Sequence, residues 1–143
     1  MSEFKHKIIP HFFYLGVLQL FTALFAGIIC LLFLRFADDE IYDLILGFLP
    51  DVSLLTWSVI GLAMLGIQVV GNVIGAALSL KKLDAAVSIA YLIGGTEMLW
   101  MMVQYFVLHI HSVLMILFFL LALFQVILAY MLRQRIHLLN SED

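Results

Sequence analysis

The chain is 143 residues long, 65% hydrophobic and only 12% charged, with a mean hydropathy of +1.16. Soluble domains run to roughly 45–50% apolar and about 25% charged, so a water-soluble fold is excluded by the apolar surface it would have to hide. A net charge of −3 without a basic run argues against nucleic acid as a partner. The lone Cys30 leaves neither an internal disulfide nor a Cys-x-x-Cys for thiol redox work, and is expected to pack as a small apolar residue.

Apolar stretches of about 20 residues match a hydrocarbon layer roughly 30 Å thick. Four such runs are present: Phe12–Leu34, Leu54–Leu80, Ala85–Leu108 and Ser112–Leu132. They predict one all-α integral membrane domain over residues 1–143, an antiparallel up-down bundle of four transmembrane helices in contact with the lipid bilayer. The first run follows Lys5 and Lys7 as a signal sequence would. It is too long for a signal-peptide core and ends in no small-x-small cleavage site, so it reads as a retained span. With the N-terminus inside, the inner segments hold Lys5, Lys7, Lys81, Lys82, Arg133 and Arg135, and the outer ones hold only Arg35. Positive charge marks the cytoplasmic side. Both termini are therefore expected in the cytoplasm, in a multi-pass protein of a bacterial inner membrane.

In chain order, Met1–His11 is a short basic head, and Pro10 suits the start of the first helix because its missing N–H is not needed there. Gly16, Gln19, Ala23, Gly27 and Cys30 then fall on roughly one face of span one, where small residues let a neighbour approach. The outer segment Phe36–Ser53 has Ile41, Leu44, Ile45 and Phe48 at helical spacing, which predicts a short interfacial helix over Asp39–Leu49, ended near Pro50. Asp38, Asp39, Glu40, Asp43 and Asp51 lack the central glycine of a calcium loop and read as a solvated acidic face.

Span two carries Gln68, Gly71, Asn72, Gly75 and Ser79 at i, i+3, i+4, i+7 and i+11, one stripe of a helix that contains a small-x-x-x-small pair. The short basic turn Lys81-Lys82-Leu83-Asp84 makes spans two and three antiparallel neighbours, with Asp84 as an N-cap. Span three presents Ala86, Ala90, Gly94, Glu97, Met101 and Gln104 along one face. His109 and His111 flank a tight outer turn. A metal would need a further ligand, so they read as solvated interface residues. Span four places Gln125 between Ala122 and Ala129, and the polar tail Arg133–Asp143 anchors the inner boundary.

The chemistry centres on Glu97, a carboxylate close to mid-membrane. Thr22, Gln68 and Gln125 count to a similar depth, Gln19 and Asn72 lie slightly towards the cytoplasm, and Gln104 shares the face of Glu97. Unsatisfied polar groups in hydrocarbon cost several kcal/mol each, roughly, so these side chains are expected to converge inside the bundle. No intramembrane Lys, Arg or His is available to pair with Glu97, which favours its neutral acid form, able to donate one hydrogen bond and accept others.

Glu97, Gln68, Asn72, Gln19, Gln125, Thr22 and Gln104 thus form a candidate site for a small ligand or a proton, in a transporter-like homo-oligomer. The alternative, from another class, is a non-catalytic accessory subunit that meets a membrane-protein partner, with Glu97 and the amides as interhelical glue. An enzyme using Glu97 as general acid ranks below both, because no second titratable group lies at its depth. Phosphate-binding glycine loops, a Ser/His/Asp set and His-Glu-x-x-His are missing, and no cofactor or metal site is expected. Four spans with one mid-membrane Glu resemble the small multidrug-resistance transporters, whose carboxylate belongs to the first helix, where this chain has Gln19. The long first outer segment followed by tight turns is similar to the layout of DoxX-like membrane proteins. Neither resemblance transfers a residue role.

Overall fold

The computed structural model describes residues 2–35, 61–62, 64–107, 109 and 113–140, and the described residues contain helices and turns but no strand. The expected interfacial helix Asp39–Leu49, the acidic cluster and His111 lie outside the described residues. Helix α1 spans Ser2–Arg35, a π-helical segment Met64–Gly71 runs directly into α2 at Asn72–Leu80, α3 covers Ala85–Phe106, and α4 covers Val113–Asn140.

Three helices hold stretches long and apolar enough to cross a membrane: Ile9–Leu31 of α1, Ala85–Phe106, and Val113–Leu138 of α4. Leu65–Leu80 is a shorter apolar helix. In lipid every backbone polar group has to be satisfied within the segment, which a continuous helix achieves. At about 1.5 Å per residue, the 34 residues of α1 rise about 50 Å, well beyond the hydrocarbon layer. The basic head from Ser2 and the polar tail as far as Asn140 are helical as well. Helix α1 begins eight residues ahead of Pro10, which sits inside it rather than at its start, and α4 runs past Leu132 to Asn140. Asp84 stands at the N-cap of α3, but its side chain makes no capping bond, and the turn closes through the backbone from Ala86 N–H to the Leu83 carbonyl at 2.9 Å.

Neighbouring helices pack in opposite senses. Gly16 meets Leu80 and Ser79, Gln19 meets Gly75, and Gly27 approaches Val69, so residue numbers rise along α1 as they fall along α2 and the π segment. Ala90 bonds Gln125 and Gly94 abuts Ala122 and Val126, which sets α3 against α4 in the same way. Helix α4 returns to α1 through Phe25 and Phe118, whose rings lie 5.4 Å apart, and α2 packs on α3.

The interior has a layered composition. One apolar cluster joins Phe12, Leu15, Ala86, Val87, Ala90, Ala129 and Leu132 at the Lys81–Lys82 end; another joins Ala26, Ile29, Met101, Met115 and Phe118 at the other. Between them lie most of the buried polar side chains. The outer faces are the reverse, with Leu24, Ile28, Leu92, Leu99, Val113 and Ile116 all more than half exposed. A polar interior inside an apolar exterior is the arrangement expected of helices solvated by lipid tails.

Candidate functional site

Each residue of the candidate set is buried: Gln19, Gln68, Asn72 and Gln125 are 0% exposed, Thr22 and Glu97 1%, and Gln104 4%. The periodicity of α3 explains the position of Glu97, because Ala86, Ala90, Gly94, Glu97, Met101 and Gln104 form its inward face and all are buried. Small residues on that face bring α4 close. A Cβ on Gly94 would lie 2.8 Å from the Val126 side chain and 3.2 Å from the Ala122 carbonyl.

Among the described residues, the buried polar groups form separate hydrogen-bonded units rather than one network. The central unit is Glu97 with Asn72. The Asn72 amide Nδ2 donates to Glu97 Oε1 across the α2–α3 interface, and also donates to the backbone carbonyl of Gln68 at 3.0 Å. Gln68 belongs to the π-helical segment, whose i→i+5 bonding pattern ends where α2 begins. The Asn72 side chain thus ties the π segment, the first turn of α2 and Glu97 together. π-helical irregularities are frequent at functional sites.

The second unit lies towards the Lys81–Lys82 end. Ser79 Oγ donates to Gln19 Oε1 at 2.9 Å, and the Gln19 amide packs against Gly75 so closely that a Cβ there would lie 2.9 Å from Gln19 Cδ. The third is Gln125, whose Nε2 donates to the Ala90 carbonyl at 3.3 Å, two turns before Glu97 on α3. Thr22 turns back to its own helix, donating to the Leu18 carbonyl at 2.9 Å. Gln104 lies two turns beyond Glu97, past Met101 of the apolar cluster. The expected convergence therefore holds for burial, while the hydrogen bonds join Glu97 directly to Asn72 and link Gln19 elsewhere.

Several buried polar atoms at the centre have no hydrogen-bond partner among the described residues: Glu97 Oε2, Asn72 Oδ1 and both amide atoms of Gln68. Each costs roughly 1–3 kcal/mol in a dry interior. The indole Nε1 of Trp100, one helical turn from Glu97, is in the same condition. Glu97 Oε2, Gln68 Oε1 and Asn72 Oδ1 can all accept, so the unit offers acceptor oxygens to a donor of modest size. Ser79 and Trp100 were not in the candidate set derived from sequence. Ser79 was legible as the i+11 member of the span-two stripe, and Trp100 as the i+3 neighbour of Glu97.

Among the described residues, no three His, Cys, Asp or Glu side chains gather as a metal site. Cys30 is buried and free, its sulfur 4.0 Å from the Gly61 carbonyl, consistent with a packing role. Comparison of the chain with protein-family models, with curated proteins and with solved structures finds no match.

Proposed function

We propose that the chain is a multi-pass membrane protein in which Leu54–Leu80 supplies a fourth span, and that Glu97 binds a proton or a small cation carrying N–H donors. The observation that carries this reading is the buried Glu97–Asn72 pair, in which Glu97 Oε2 and Asn72 Oδ1 have no hydrogen-bond partner among the described residues. A donor arriving at Glu97 would satisfy Oε2, the carboxylate oxygen that the Asn72 bond leaves unpaired. Gln19, Thr22, Gln104 and Gln125 line the remaining interior. A four-helix unit of this size is too narrow to enclose a wide pore, so transport would run through a homo-oligomer. The distribution of Lys and Arg supports an inner-membrane orientation with both ends cytoplasmic.

The test is proton uptake by the purified chain, followed with a pH-indicator dye after a step in pH. Glu97→Gln keeps size and hydrogen bonding but cannot ionise, and is expected to take up one proton fewer per chain than wild type. Equal uptake by both would contradict the reading.

The second reading is an accessory subunit in which Glu97 is structural. It is favoured by one observation, the direct Asn72–Glu97 bond between α2 and α3. It predicts that Glu97→Gln changes neither uptake nor stability, while Glu97→Leu loosens the helices.

A further inference from the structure

A groove of about 380 Å³ opens between α1 and the end of α2, lined by Ile9, Pro10, Phe13 and Tyr14 on one side and Leu80 and Lys82 on the other. Its depth is informative. Ile9 begins the apolar stretch of α1 and Leu80 ends that of α2; on the proposed reading of Leu54–Leu80 as a span, the groove lies where hydrocarbon gives way to headgroups. Its walls are apolar and open to the surroundings, with Phe13 55% and Leu80 46% exposed. Ser79 also reaches the groove, but its hydroxyl is already donated to Gln19. Lys82 is the charged residue that lines the groove, and among the described residues no Asp or Glu lines it.

The backbone holds Lys82 there at a cost. Lys82 has φ 56°, the left-handed region that favours glycine. Its N–H bonds the Ser79 carbonyl at 2.9 Å and the N–H of Leu83 bonds the Leu78 carbonyl at 3.1 Å, the paired bonds of a Schellman helix end. Glycine is the usual residue at that position; a lysine there keeps a cation beside the groove at the expense of the turn.

We propose that this groove binds one anionic phospholipid, with an acyl chain along Phe13, Ile9 and Leu80 and the phosphate on Lys82. Charge complementarity selects the occupant: an ammonium at headgroup level beside an apolar trough matches a phosphate joined to a hydrocarbon chain.

The test is native mass spectrometry of the full chain in mild detergent with equimolar phosphatidylglycerol and phosphatidylcholine. Wild type is expected to retain the anionic lipid about fivefold over the zwitterionic one, the factor one lysine near a headgroup supplies. Lys82→Gly keeps a residue suited to the turn and is expected to bring the ratio to about one. Lys81→Gln, in the same turn but outside the groove, leaves it unchanged. Equal retention of both lipids by wild type, or a preference that survives Lys82→Gly, would overturn the proposal. So would displacement of the lipid by soluble glycerol 3-phosphate at matched concentration, which would mark a headgroup-only anion site with no use for the apolar trough.

Discussion

Gly94 and Gly95 adjoin in sequence yet meet different surroundings. A Cβ at Gly94 would push into Val126 and the Ala122 backbone, whereas among the described residues nothing lies within 4 Å of one at Gly95. Gly94→Ala is therefore expected to destabilise the protein by about 1–3 kcal/mol through overpacking at the α3–α4 contact. Gly95→Ala should be neutral or stabilising by up to about 1 kcal/mol, from helix propensity alone. Unfolding of each variant in detergent by denaturant titration checks the pair; equal destabilisation would mean that α3 faces α4 differently. At the centre, Asn72→Ala removes the donor to Glu97 and is expected to cost about 0.5–2 kcal/mol in the same assay. Glu97 was legible as a buried group because an isolated carboxylate deep in an apolar run has few other places to go. Its partner was less legible, since Asn72, Gln68 and Gln125 counted to nearly the same depth and only side-chain geometry distinguishes a bond from a near neighbour.

At the level of elements, the inward face of α3 was readable, because Ala86, Ala90, Gly94, Glu97, Met101 and Gln104 recur every three or four residues and all are buried. The π-helical segment was not readable. Gln68 and Asn72 at i and i+4 fit an ordinary helix equally well, and the switch from i→i+5 to i→i+4 bonding leaves no compositional mark. Pro10 misled for a related reason. A proline signals a helix start by its own chemistry, yet here the basic head ahead of it is helical as well. The turn after α2 yields a prediction of its own. Lys82→Gly should stabilise the lipid-free protein by about 1 kcal/mol by relieving the left-handed backbone, read as a rise in the unfolding midpoint in detergent. A fall would mean that the Lys82 side chain contributes more to the helix end than its backbone costs.

The molecule as a whole turns a soluble protein inside out, with amides and a carboxylate between two apolar clusters and bulky apolar side chains on the outside. Lipid tails are as apolar as leucine, so close packing at Gly16, Gly75 and Gly94, together with the Ser79–Gln19 and Asn72–Glu97 bonds, contributes the helix-to-helix attraction that water would otherwise supply. If Leu54–Leu80 crosses as a fourth span, both ends face one side. Single cysteines added near residues 3 and 142, in a Cys30→Ser background, should then be labelled together by a membrane-impermeant thiol reagent in inside-out vesicles and together spared in right-side-out ones. Labelling of one end alone in either preparation would mean an odd number of crossings.

The most direct measurement of the central claim uses Trp100, whose indole lies one helical turn from Glu97. In a Trp57→Phe background reconstituted in lipid nanodiscs, Trp100 is the sole tryptophan, and its emission should change with pH along a single titration that disappears when Glu97→Gln is added. An identical pH response with and without the Glu97 carboxyl, or no response in its presence, would contradict a proton-binding site at that position.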